Sequence, residues 1–191
     1  ENYTYSAEQH FGEVLEKRGI PVSQLDSVET SISYLSSSGH HGIEELLSHQ
    51  YFADKYSVGR SLIPYIKEIF VSRPKVVHAW LDSINIRAGL AAFIMGVPKI
   101  ILSQRSASPV HFNFFTVEMK PIYQALLKSG NVVLLNNSEY GARDYSRWLK
   151  IKPDRIKVIY NGISRLENEP GDQEARWFRD MYSIPHDAPL V

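Results

Sequence analysis

Arg105 is the side chain here whose chemistry is hardest to explain as packing. It sits in Ser103-Gln104-Arg105-Ser106, directly after the apolar run Ile100-Ile101-Leu102. A guanidinium is always cationic and grips phosphate or carboxylate through two parallel N–H donors. A salt bridge that pins a loop is the competing reading. Two other runs end the same way. Val76-Val77-His78-Ala79 leads into Trp80 and Asp82, and Val132-Val133-Leu134-Leu135 leads into Asn136, Asn137 and Ser138. Gln104, Ser106, Asp82, Trp80 and Ser138 can all hydrogen-bond or cover a polar ligand. Asp82 can accept from a hydroxyl or cap a following helix, and Ser138 is also a natural helix cap. The N–H groups of a helix beginning at Ser138 can hold an anion. Asn161-Gly162 adds a turn, either structural or in contact with a ligand.

These residues need elements that bring them together. Apolar runs that fit strands buried on both faces, each followed by a helical pattern, predict an open parallel α/β sheet. In such sheets ligands lie beyond the carboxyl ends of the strands. The spacing predicts strands at 75–80, 99–103, 131–135 and 156–160. Helices are predicted at 5–18, 43–53, 57–70, 84–95, 116–128 and from Ser138 to about 150, with a short one at 175–183. Ser83 is the predicted cap of the helix at 84–95, and Gly96 its stop. Ile20 to Leu25 reads as a short strand, and residues 26–42 as loop or weak helix. His78 is expected to be a satisfied core histidine. The aromatics of the loop at 106–115 (His111, Phe112, Phe114, Phe115) are expected to fold inward over the core, exposed contact with a ligand being the alternative.

Composition sets outer limits. The 191 residues suffice for one domain and a piece of another, and 43% hydrophobic with 22% charged is ordinary globular content. Formal net charge is zero, which gives no overall pull toward nucleic acid or anionic membrane but leaves room for a local basic patch. No cysteine is present, so disulfide and thiolate chemistry is excluded, consistent with a reducing cytosol. His40-His41 lacks partners at metal-ligand spacing, and no metal site is expected. No apolar run approaches the roughly 20 residues that span a bilayer. The first residue is Glu1, a helical pattern starts almost at once, and Ala188-Pro189-Leu190-Val191 reads as a strand beginning. The sequence is therefore expected to be an excised piece.

The order of the pieces carries a resemblance. His78-Ala79-Trp80 precedes a helix rich in small residues, then Gly96-Val97-Pro98 and a strand. Asn137-Ser138-Glu139 opens a helix, and Ile151-Lys152-Pro153-Asp154-Arg155-Ile156-Lys157-Val158-Ile159-Tyr160-Asn161-Gly162-Ile163 closes the series. Over about residues 57–191 this resembles the N-terminal half of the retaining glycosyltransferases of family 4. The resemblance implies a three-layer Rossmann-like domain with a mostly parallel sheet, lacking its first strand or strands and its C-terminal partner domain. Residues 1–163 would be the acceptor-side domain, and 164–191 the interdomain linker and the beginning of the nucleotide-sugar-binding domain. It implies transfer of a sugar from a nucleotide-sugar to a hydroxyl of a glycan or lipid-linked acceptor, with retention, in polysaccharide biosynthesis. The donor would be a co-substrate, with no further cofactor and no metal. The piece alone would be inactive, and the enzyme would work in the cytoplasm, with peripheral attachment at the inner face of the membrane. Relatives often carry a histidine where Arg105 stands, and the resemblance places Arg105, Gln104, Ser106, Asp82, Trp80, Ser138 and Asn161 around the substrates. A non-catalytic α/β ligand-binding or regulatory module is the rival reading.

Overall fold

Consecutive parallel strands need a crossover between them, and here each crossover is a helix. The computed structural model describes residue 12 and residues 14–53, 59–162 and 171–189. The helical start at 5–11, the linker at 164–170 and the last two residues lie outside this range. The chain divides into two compact units, one running through Tyr160 and the other from Asn161.

In the first unit, helices α1 (Val28–Ser37), α2 (His41–Ser48) and α3 (Gln50–Ala53) precede a 3₁₀ turn, Gly59–Leu62, and helix α4 (Ile63–Ser72). Then come β1 (Val76–Trp80), α5 (Asp82–Ile94), β2 (Lys99–Gln104), α6 (Met119–Lys128), β3 (Val132–Asn136), α7 (Glu139–Leu149) and β4 (Ile156–Val158). The four strands pair in chain order, and every pair is parallel. The fold is α/β with an all-parallel sheet, consistent with a Rossmann-like domain. In the second unit, α8 (Asp172–Met181) has no buried residue.

Burial alternates along the strands. Ala79, Ile100, Leu102, Leu134 and Ile156 are buried on the side where α5, α6 and α7 pack. Each Leu or Ile fully sequestered there contributes about 1.5–3 kcal/mol. On the opposite side Val76, His78, Trp80, Lys99 and Lys157 are exposed. The described helices thus cover one face, and the third layer expected from the resemblance is not among the described residues. Helix α5 lies close to the sheet because it is built from small residues. A Cβ on Gly89 would meet the Leu102 and Leu126 side chains at 3.1 and 3.2 Å.

Several local expectations need correction. Residues 20–25 form no strand: Ile20, Val22 and Leu25 are exposed, and among the described residues no strand pairs with them. The Ser-rich stretch after them is a full helix, α1. Ser27 caps it by accepting from the Thr30 amide at 3.1 Å, and Ser31 and Leu35 are its buried anchors. The helix expected at 57–70 begins only at Ile63, after the 3₁₀ turn, with Pro64 in its first turn, where its missing N–H costs nothing. Ser83 is not a cap: α5 begins two residues early, at Asp82.

Candidate functional site

The early start of α5 has a backbone cause. Leu81 stands at φ 71°, ψ 149°, a conformation that costs a non-glycine residue about 1–3 kcal/mol. Its amide donates to the Ser103 carbonyl at 3.0 Å, and its carbonyl accepts from the Asn85 amide at 2.7 Å. The chain therefore passes from strand to helix within one residue. Trp80 and Asp82, on either side of this corner, are sent in different directions.

Trp80 stands on the open face, 44% exposed. The Arg105 guanidinium lies over its ring, 4.5 Å from the centroid. Because β1 continues as far as Trp80, His78 shares that face, and its ring centroid is 4.7 Å from that of Trp80. His78 is exposed rather than a core residue, and its Nε2 lies 2.7 Å from the Ser103 hydroxyl. Its partial burial pulls its pKa below the ordinary histidine value. Among the described residues Arg105 makes no ion pair, so the expected alternative, a loop-pinning salt bridge, is absent. An aromatic ring positions the cation instead, a contact worth about 0.5–1 kcal/mol at an exposed site.

Asp82 points into the core and is 5% exposed. The Tyr145 hydroxyl lies 2.7 Å from both carboxylate oxygens, and the Tyr123 hydroxyl donates to one of them at 2.8 Å. Asn85 donates to the Ser103 carbonyl at 3.0 Å and to Tyr123 at 3.2 Å. Burial is the largest influence on Asp82 and lifts its pKa above the ordinary aspartate value, against the pull of the two tyrosines. Burial, then the adjacent carboxylate, pushes both tyrosines well above the usual phenol range. Asp82 is therefore neither a surface acceptor of a ligand hydroxyl nor a cap. Gln104 is also fully buried rather than at the rim, and its carboxamide makes no hydrogen bond among the described residues.

Ser106 and Ser138 are tied together by Asn136, which the strand-end reading included in its polar cluster but did not single out. Its amide nitrogen donates to the Ser106 carbonyl at 3.2 Å, and its oxygen accepts from the Ser138 amide at 3.0 Å. The Ser106 hydroxyl turns back onto the Ala107 carbonyl at 3.0 Å. Ser138 caps α7, accepting from the Gly141 amide at 3.0 Å. Gly141 is fixed by the same packing, since any Cβ there would strike the Asn136 carboxamide. The signal in the sequence was weak: an asparagine at the last position of a buried strand, followed by a cap.

Asp144 was missed as well. It accepts from the Ser108 amide at 2.8 Å and hydroxyl at 2.6 Å, and sits 3.1 Å from His111 Nε2. Burial pulls this carboxyl upward, but the Ser108 and His111 contacts outweigh it and hold the pKa below the ordinary value. Asp144 thereby clamps the loop after β2 to α7. In that loop Phe115 folds inward against Trp148, as expected, while Phe112 and Phe114 stack on each other at 5.2 Å and remain exposed. Asn161 is exposed and opens the second unit.

The strand tips thus hold one exposed cationic stack, Trp80 with Arg105, above a buried polar network. Trp80, Asp82, Arg105 and Ser138 do not line one shared crevice, because Asp82 faces inward. The chain matches the family description Glycosyltransferase Family 4 over residues 11–165. It belongs to glycosyltransferase family 4. That match contains every candidate residue named above. A relative, the Vi polysaccharide biosynthesis protein VipC/TviE of Salmonella typhi, is 34% identical over 129 residues. The alignment covers 67% of this chain and 22% of that protein, so the chain spans only a minor part of its relative. No solved structure matches the chain. Among the described residues no helix is long and apolar enough to cross a membrane.

Proposed function

We propose that this chain is the acceptor-side part of a retaining glycosyltransferase. The whole enzyme moves a sugar from a nucleotide-sugar to a hydroxyl of a glycan or lipid-linked acceptor in polysaccharide biosynthesis. It acts in the cytoplasm, beside the membrane. Residues 164–191 form the linker and open the nucleotide-sugar-binding domain, and the piece of 191 residues is inactive alone. Family membership supports sugar transfer, and the relative's name supports a polysaccharide product.

One observation carries the site: a guanidinium at a strand tip, stacked on an aromatic ring and free of any carboxylate among the described residues. A cation held this way keeps its N–H donors for a ligand. As the donor's glycosidic bond breaks, negative charge gathers on the departing diphosphate and positive charge on the sugar ring. A fixed cation beside the leaving group favours that separation. Trp80 is a positioning residue in this reading, touching both His78 and Arg105. The capped N-terminus of α7, with Ser138, adds oriented N–H groups. Charge stabilisation is assigned to side chains and helix ends, so transfer should persist in excess chelator.

The test is a nucleotide-sugar screen on the whole enzyme, followed by Arg105→Ala and Arg105→Lys. Loss of one preorganised charge-stabilising donor lowers turnover by about 10²–10³-fold, so Arg105→Ala should fall in that range with an unchanged unfolding midpoint. Lysine should recover only part, because it cannot lie flat on Trp80. Unaltered transfer by Arg105→Ala removes Arg105 from the site. A screen in which no nucleotide-sugar is consumed returns the chain to the ligand-binding reading.

A further inference from the structure

The zero net charge conceals a strong separation. Between Met119 and Lys157 there are eight Lys or Arg side chains and only three acidic ones, within a chain of 21 cations and 21 anions. Four of these cations, Lys128, Lys150, Lys152 and Arg155, line one open cavity of about 810 Å³. They come from the end of α6, the end of α7 and the 3₁₀ turn that leads into β4. None of the four makes an ion pair among the described residues. A single acid, Asp154, shares the rim, and Leu127 and Ile151 supply an apolar floor.

Lys128 and Lys150 also suit helix C-termini, whose partial negative charge favours cations. That explanation does not extend to Lys152 and Arg155, which follow α7. Collecting four unpaired cations around apolar surface costs self-repulsion that the fold does not need. Helices α6 and α7 run back against the strands, so this cavity lies at the amino edge of the sheet. The Trp80–Arg105 stack lies at the carboxyl edge, roughly 15 Å away for strands of five residues rising about 3.3 Å each.

We propose that this cavity is the face by which the enzyme docks on an anionic lipid bilayer, with cations on the headgroups and the apolar floor at the interface. This deepens the proposal that the enzyme works beside a membrane, and its test needs no transfer reaction. Charge complementarity selects the occupant: four unpaired cations against one acid, around an apolar centre, match a negatively charged amphiphilic surface. Docking by this edge turns the strand tips away from the bilayer. The acceptor hydroxyl then belongs to a chain end standing off the surface, not to a headgroup at the bilayer plane.

The experiment is co-sedimentation of the purified protein with phosphatidylcholine vesicles, with and without phosphatidylglycerol, at about 0.1 M salt, where screening extends only about 10 Å. The protein should bind the anionic vesicles and not the neutral ones. Each cation near such a surface is worth about fivefold in partitioning, so Lys128→Gln, Lys152→Gln and Arg155→Gln together should weaken binding by about a hundredfold. The unfolding midpoint should stay unchanged. Absence of vesicle binding overturns the proposal, as does a triple variant that binds like the parent. Binding lost only toward duplex DNA or an acidic protein, with none to vesicles, overturns it too. Whether nucleotide-sugar is consumed is scored separately, so failure of the transferase reading is distinguishable.

Discussion

Replacing Tyr145 by Phe tests the buried network directly. The substitution keeps the ring, its contacts with Tyr123 and Trp148 at 6.4 and 5.8 Å, and the volume of the core. It removes one hydroxyl proton shared between the two oxygens of Asp82. A hydrogen bond to a charged group is worth about 1.5–3 kcal/mol, and a neutral one about half as much. Asp82 titrates above its ordinary value in the folded protein, so folding takes up a proton between the unfolded and folded pKa, and stability falls as pH rises through that window. Removing Tyr145 takes away a downward pull and widens the window. The deficit should therefore be about 2 kcal/mol where Asp82 is ionised and about 1 kcal/mol on the acid side of its folded pKa, where a protonated Asp82 needs its partner less. Urea unfolding followed by circular dichroism across a pH series gives the numbers. A double-mutant cycle with Asp82→Asn isolates the pair, and most of the loss should vanish in that background. A loss independent of pH, or undiminished when Asp82→Asn is already present, would refute the reasoning.

Leu81→Gly should raise stability by about 1 kcal/mol, because glycine adopts a positive φ without strain and the leucine is 56% exposed; a lower unfolding midpoint would show that the leucine side chain matters more than its backbone. Asp144→Asn should loosen the loop after β2, seen as faster amide exchange at Ser108. The depressed Asp144 carboxyl stabilises the fold above the ordinary aspartate range, and that contribution disappears as pH falls through its folded value. The variant should accordingly flatten the acid limb of the stability profile, and an unchanged limb would count against the clamp.

The strands were legible because they are short apolar runs between turn residues, and a strand buried on its helix-facing side needs little else to be recognised. The run at 20–25 shows the limit of that signal: the same residue types make no strand where no described strand pairs with them. Helix α1 was obscured by serines, which read as loop until Ser27 serves as its cap and Leu35 as its anchor. The Trp80–Arg105 pairing follows from register, since Trp80 lies opposite Ser103 and the parity of the strand places Arg105 on the same face. The inward turn of Asp82 was not legible. It depends on tyrosines 41 and 63 residues further along and on an unusual backbone angle at Leu81, neither of which has a local signature. Asn136 was hidden because its role is to join two loops that meet only in three dimensions.

The corner at Leu81 leaves no slack between what faces solvent and what lies beneath. A shift of the buried tyrosines has a single residue through which to reach the tryptophan on which the arginine rests. Substitutions at positions 85, 123 and 145 should accordingly be read together with those at the rim, because Leu81 alone joins the two layers.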